Sequence, residues 1–138
     1  MRKMKILVTA ALILTGITGY SQKLESGNVL SVHNVEITVD NGMTKAQVEK
    51  FIEDEYIPAA EKNLPGLRML MMKGERGAGA EKYSYLLIFK SIDERNRWFP
   101  EPGKMSEETK QALKNMQDLE NKFNSMIKSI SYTDFVIL

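Results

Sequence analysis

One histidine and no cysteine leave this chain few routes to side-chain chemistry. A multi-histidine metal site, thiolate catalysis, cysteine metal ligation and disulfides are all excluded. A Ser-His-Asp arrangement would have a single available base, His33. An imidazole titrates near neutral pH, so His33 suits a pocket acid or base, an axial haem ligand or a hydrogen-bond anchor. Its competing role is a core histidine satisfied by a tyrosine hydroxyl or a backbone group. Tyr56, Tyr83, Tyr85 and Trp98 have the composition of an aromatic pocket wall, and equally that of an ordinary core. Met69, Met71 and Met72 are thioethers of the kind that bind Cu(I), but only Met69 and Met71 share a strand face, which favours adaptable packing. Gly74-Glu75-Arg76-Gly77-Ala78-Gly79 has the look of a phosphate loop. Such a loop must run from a strand into a helix N-terminus, and this one joins two strand patterns, so it reads as a hairpin connection. None of these patterns requires a metal or a cofactor.

The elements that must position these residues follow from periodicity. From Val29 to Val39 the residues alternate, with Val29, Ser31, His33, Val35, Ile37 and Val39 on one face, which predicts a strand ended by Asp40-Asn41-Gly42. Thr44 with Gln47 three residues on is a capping box. It opens a helix whose inner stripe is Val48, Phe51, Ile52, Glu55, Tyr56 and Ala59. Pro58 is predicted to kink or end that helix, and Asn63-Leu64-Pro65-Gly66 stops it. Leu67–Lys73 and Lys82–Ser91 read as a pair of strands, the second alternating Tyr83, Tyr85, Leu87 and Phe89 against Ser84, Leu86, Ile88 and Lys90. A short helix from Asp93 to Phe99 precedes Pro100-Glu101-Pro102-Gly103. Ser106 then caps a longer helix with the stripe Ala112, Met116, Leu119, Phe123 and Met126/Ile127, and a strand from about Ser131 closes the chain. The order β-α-β-β-α-β predicts an α+β, ferredoxin-like sandwich, a four-stranded antiparallel sheet with helices on one face.

Residues 1–21 read as a cleavable signal peptide. Arg2, Lys3 and Lys5 form a positive n-region, an apolar run spans Ile6 to Thr18, and Gly19 and Ser21 put small residues at −3 and −1. The apolar run is shorter than the roughly 20 residues a membrane span needs, and no lipoprotein cysteine follows it. Cleavage between Ser21 and Gln22 is therefore expected, with the product periplasmic or secreted and without a membrane span. Residues 22–28 are a loose polar lead-in and residues 29–138 one domain. Three of the nineteen basic residues lie in the leader, which leaves sixteen against eighteen acidic ones and no basic face for nucleic acid.

Val32-His33 in the first strand, Tyr56-Ile57-Pro58 late in the first helix and Leu64-Pro65-Gly66 before the second strand recur as a set in a known fold family. Phe89-Lys90-Ser91 leading into Asp93-Glu94 and Trp98 belongs with them. Over residues 29–138 the chain resembles the dimeric α/β-barrel superfamily, which includes antibiotic-biosynthesis monooxygenases, haem-degrading monooxygenases and stress-responsive barrel proteins. The resemblance implies a homodimer with sheets back to back and a pocket in each subunit between sheet and helices. His33, Val35, Ile37, Tyr83, Tyr85 and Leu87 would face that pocket, and Val32, Asn34 and Glu36 the partner subunit. The cyclase-like members resemble this chain in a strand-one histidine, but they add a second histidine in a segment that here reads Phe99-Pro100-Glu101-Pro102-Gly103-Lys104. The haem-degrading members resemble it through Asn34 and Trp98, but their haem-ligating histidine has no counterpart.

The expected function is therefore an exported, non-catalytic binder of a small amphipathic or aromatic molecule, or an interaction module, with His33, Tyr83, Tyr85 and Trp98 at the ligand. A cofactor-independent monooxygenase or cyclase using His33 is the alternative, and a purely structural dimer the third reading.

Overall fold

The alternating segment forms β1 (Val29–Ile37), with Val29, Ser31 and Val35 buried beneath the helices. A computed structural model describes residues 23–39 and 42–138; the leader, the cleavage site, and Asp40 and Asn41 of the expected turn lie outside the described residues. Strands β2 (Arg68–Lys73), β3 (Tyr83–Phe89) and β4 (Ile127–Val136) complete one antiparallel sheet in the order β2-β3-β1-β4. Helices α1 (Lys45–Phe51), α2 (Ile57–Asn63), α3 (Ile92–Trp98), α4 (Glu107–Lys114) and α5 (Gln117–Met126) supply the other layer. This is the expected ferredoxin-like α+β sandwich. The end of the lead-in is tied to the sheet, because Gly27 and Asn28 exchange backbone hydrogen bonds with Ile137 at 2.8 and 2.9 Å.

Local chemistry behaves as the residue types dictate. Thr44 and Gln47 form the capping box, at 3.2 and 2.8 Å, and Ser91 and Ser106 cap α3 and α4. The glycine-rich segment is a hairpin connection between β2 and β3, closed by Gly74 and Lys82 at 2.8 Å. Gly74 is obligatory there, since a Cβ would fall 1.7 Å from the Gly79 carbonyl oxygen.

Pro58 does not end its helix. It has no N–H for the carbonyl four residues back, and ahead of it the helix widens into a π-helical turn, Ile52–Tyr56, in which the Ile57 N–H donates to the Ile52 carbonyl. The wider turn holds one surplus residue, and the inner stripe moves with it: Tyr56 and Ala60 are buried, Glu55 is exposed and Ala59 only half-buried. The long helix expected after Ser106 also breaks, at Asn115 and the non-helical Met116 (φ −123°, ψ 32°), into α4 and α5.

β4 begins at Ile127, directly after Met126 and four residues earlier than its alternation suggests. A bulge at Ile130 explains the early start: Ser131 pairs with Asn34 and Ser129 with Val35. The extra residue lets both Ile127 and Tyr132 face the helices, although their numbers differ in parity.

On the outer face, Leu70, Met72 and Phe135 are exposed. Leu30, Val32 and Leu86 are half-buried there, while Ile88 is already only 6% exposed within one chain.

Candidate functional site

β1, β3 and β4 bring three rings into one row across the sheet. His33 is the register partner of Tyr85 on β3 and of Tyr132 on β4. The imidazole stacks between the two phenols, with centroids 4.4 and 5.2 Å away. Ser31, two residues earlier on the same face, puts its hydroxyl 2.9 Å from His33 Nε2. Asp134, opposite Ser31, is ion-paired with Arg95 of α3. Burial lowers the His33 pKa, against an opposing pull from Asp134.

Above this row lies a cavity of about 520 Å³ between sheet and helices. Met69, Leu87 and Phe89 extend its floor. Tyr56, Ala60 and Leu64 form one wall and Phe123 and Glu120 of α5 another, with the Tyr56 ring stacked on Phe123 at 3.9 Å. The Tyr56 hydroxyl donates to Glu120 at 2.7 Å. Burial, reinforced by the Glu120 charge, raises the Tyr56 pKa and pushes that of Tyr85 up to about 12, so both phenols remain donors at neutral pH. The exposed segment Pro100–Met105 forms the rim. Both ends of that segment are held on one atom: the Trp98 carbonyl accepts from Ser106 N–H at 2.9 Å and from the buried Thr109 hydroxyl at 2.7 Å.

Of the four residues expected at a ligand, the structure brings His33 and Tyr85 together and leaves two out. Tyr83 faces the same side as Tyr85 but lies beyond the cavity, its hydroxyl donating to Glu49 of α1 at 2.5 Å. Strand parity sets the side a residue faces, not whether the roof above it is open or closed. Trp98 is 1% exposed, its ring covered by the Arg97 guanidinium at 4.5 Å and its indole N–H without a partner among the described residues. Its contribution to the site is its backbone carbonyl. Asn34 lies on the outer face, bonded to Ser84 and Ser131 at 2.9 and 3.1 Å, on the side opposite His33. Among the described residues no group of three or more His, Asp or Glu side chains is placed to hold a metal ion.

Sequence reasoning missed Ser31, Glu120, Tyr132 and the Arg95–Asp134 pair. For Glu120 a signal existed: it follows Met116 by four and precedes Phe123 by three, which places a carboxylate on the apolar face of its helix.

The chain matches no protein-family model and no curated protein sequence. Among solved structures it is similar to a NIPSNAP family protein of Agrobacterium tumefaciens, at 14% identity over 80% of this chain and 91% of that one, with a TM-score of 0.50. The resemblance read from the sequence holds at the level of the fold. SnoaB, a cofactor-independent oxygenase of Streptomyces nogalater, overlaps 82% of this chain and 95% of its own at 13% identity and a TM-score of 0.49. At such identities the likeness is one of fold alone, and the chemistry has to be read from this chain's residues.

Those residues make one end of the cavity polar and the rest apolar. A neutral imidazole, a serine hydroxyl and a tyrosine hydroxyl offer hydrogen bonds from the floor, a carboxylate faces them from α5, and the remaining walls are apolar.

Proposed function

We propose that the protein is exported, forms a homodimer, and binds a small amphipathic or aromatic molecule in the cavity between sheet and helices. The observation that carries this reading is the cavity itself. Protein interiors are close-packed, and a chamber of about 520 Å³ beside the chain's one histidine falls within the volume range of small-molecule sites. A purely structural module has no use for such a space. Ser31, His33 and Tyr85 orient the polar end of the ligand, while Met69, Leu87, Phe89 and Phe123 enclose its apolar body.

A second reading, an enzyme of the cofactor-independent monooxygenase or cyclase kind, is favoured by one observation. Burial keeps His33 neutral, the form in which an imidazole accepts a proton. Native mass spectrometry of the protein purified from its own host separates the readings. Binding predicts a retained small molecule, released on denaturation and absent from a folded His33→Phe variant. Conversion of that molecule on incubation in air would move the assignment to the enzyme. A chain that retains nothing, whose His33→Phe variant is merely more or less stable, would leave the structural module.

A further inference from the structure

The charges lining the cavity do not cancel. Arg95 is paired with Asp134, and Lys104 with Glu101 at the rim. Glu120 remains: among the described residues its carboxylate has only neutral partners, the Tyr56 hydroxyl at 2.7 Å and the Asn124 amide at 3.0 Å. The one other ionisable ring that could offset it, His33, is held neutral by burial. The chamber therefore carries one uncompensated negative charge within mostly apolar walls.

A carboxylate has about four lone-pair directions, and Glu120 uses two of them here. Glu120 is half-buried at the cavity wall, and a counter-charge placed beside a carboxylate that is partly shielded from water is favourable. Stacking covers both faces of the His33 ring and one face each of Tyr56, Phe123, Tyr85 and Tyr132, so Glu120 is the full negative charge among these groups.

We propose that the ligand is an organic cation, an apolar body bearing a protonated amine, with Glu120 as its counter-ion. This rests on the binding reading above and goes beyond it by fixing the sign of the ligand's charge and the residue that meets it.

Three probes built on one flat frame test it: naphthylethylamine, naphthylethanol and naphthylacetate, titrated calorimetrically at neutral pH into the wild-type protein and into Glu120→Gln. The amine should bind the wild type about tenfold or more tightly than the alcohol, as a charge-assisted hydrogen bond allows, and the carboxylate should bind weakest. Glu120→Gln should abolish the preference for the amine and weaken the alcohol far less than the amine. Alcohol or carboxylate binding as tightly as the amine, or a preference that survives Glu120→Gln, would overturn the assignment while leaving the binding reading in place. If none of the three binds, the binding reading fails with it. Should the variant not fold, the ranking on the wild type decides alone.

Discussion

Folding and protonation compete at His33. Burial lowers the pKa of the folded imidazole, with Asp134 pulling the other way, from the 6.5 of the free side chain. Between the two values the unfolded chain binds more protons than the folded one. The stabilisation is therefore complete above 6.5 and is lost as pH falls through the folded value. Urea unfolding of wild type and His33→Phe from about pH 8 to about pH 5 should show the wild type losing more stability than the variant. Parallel curves would mean that the ring is not desolvated as described. At this scale the sequence was half legible. That the only histidine would face the helices follows from counting along a strand. That Tyr132 would flank it does not, because the bulge at Ile130 offsets β4 by a residue that no alternation announces.

The cavity rim depends on a short element and a single acceptor. Because Ser106 N–H and the Thr109 hydroxyl both end on the Trp98 carbonyl, segment 99–105 is held at its base while its tip reaches over the chamber. Thr109 is fully buried, so Thr109→Val keeps the shape but leaves the carbonyl one partner short. The variant should lose about 1–2 kcal/mol in chemical denaturation, with faster amide exchange confined to residues 99–106. A loss spread evenly over the sheet would show that the contact supports the core and not the rim. Caps, turns and strand order were legible because each depends on neighbours in sequence. Pro58 announced a disturbance of the first helix but not its form as a π turn, and the break at Met116 has no such signal beside it in the sequence.

At the scale of the whole molecule, the described residues place no second layer on the outer face of the sheet. Leu70 and Phe135 are 41% and 53% exposed on the outer side of the sheet, and a back-to-back homodimer would bury them. Leu70→Glu should convert the proposed dimer to a folded monomer, read by light scattering at micromolar concentration together with an unchanged thermal transition of the subunit. Wild type scattering as a monomer would remove the dimer from the proposal. Ile88, the more obvious interface residue by alternation, is the poorer probe. It is 6% exposed in the single chain, so Ile88→Glu would bury a charge and destabilise the subunit itself.

Glu53, Asp54 and Glu55 have the composition of a solvated helix face, and all three are exposed. Inside the π turn they take up the one surplus residue, with their side chains in water. Replacing all three with alanine should leave stability close to wild type, since exposed substitutions typically cost within about 0.5 kcal/mol each. Deleting any one of them removes the surplus residue, so the turn can return to α-helical pitch with the turns on either side still in register. Tyr56 and Ala60 would then follow Val48 by seven and eleven residues, on the same α-helical face as Phe51 and Ile52. The core and the Tyr56–Glu120 contact should both survive, read as unchanged helical circular dichroism and unchanged amine titration. A deletion that unfolds the chain or abolishes amine binding would show instead that the wider turn itself shapes the cavity wall.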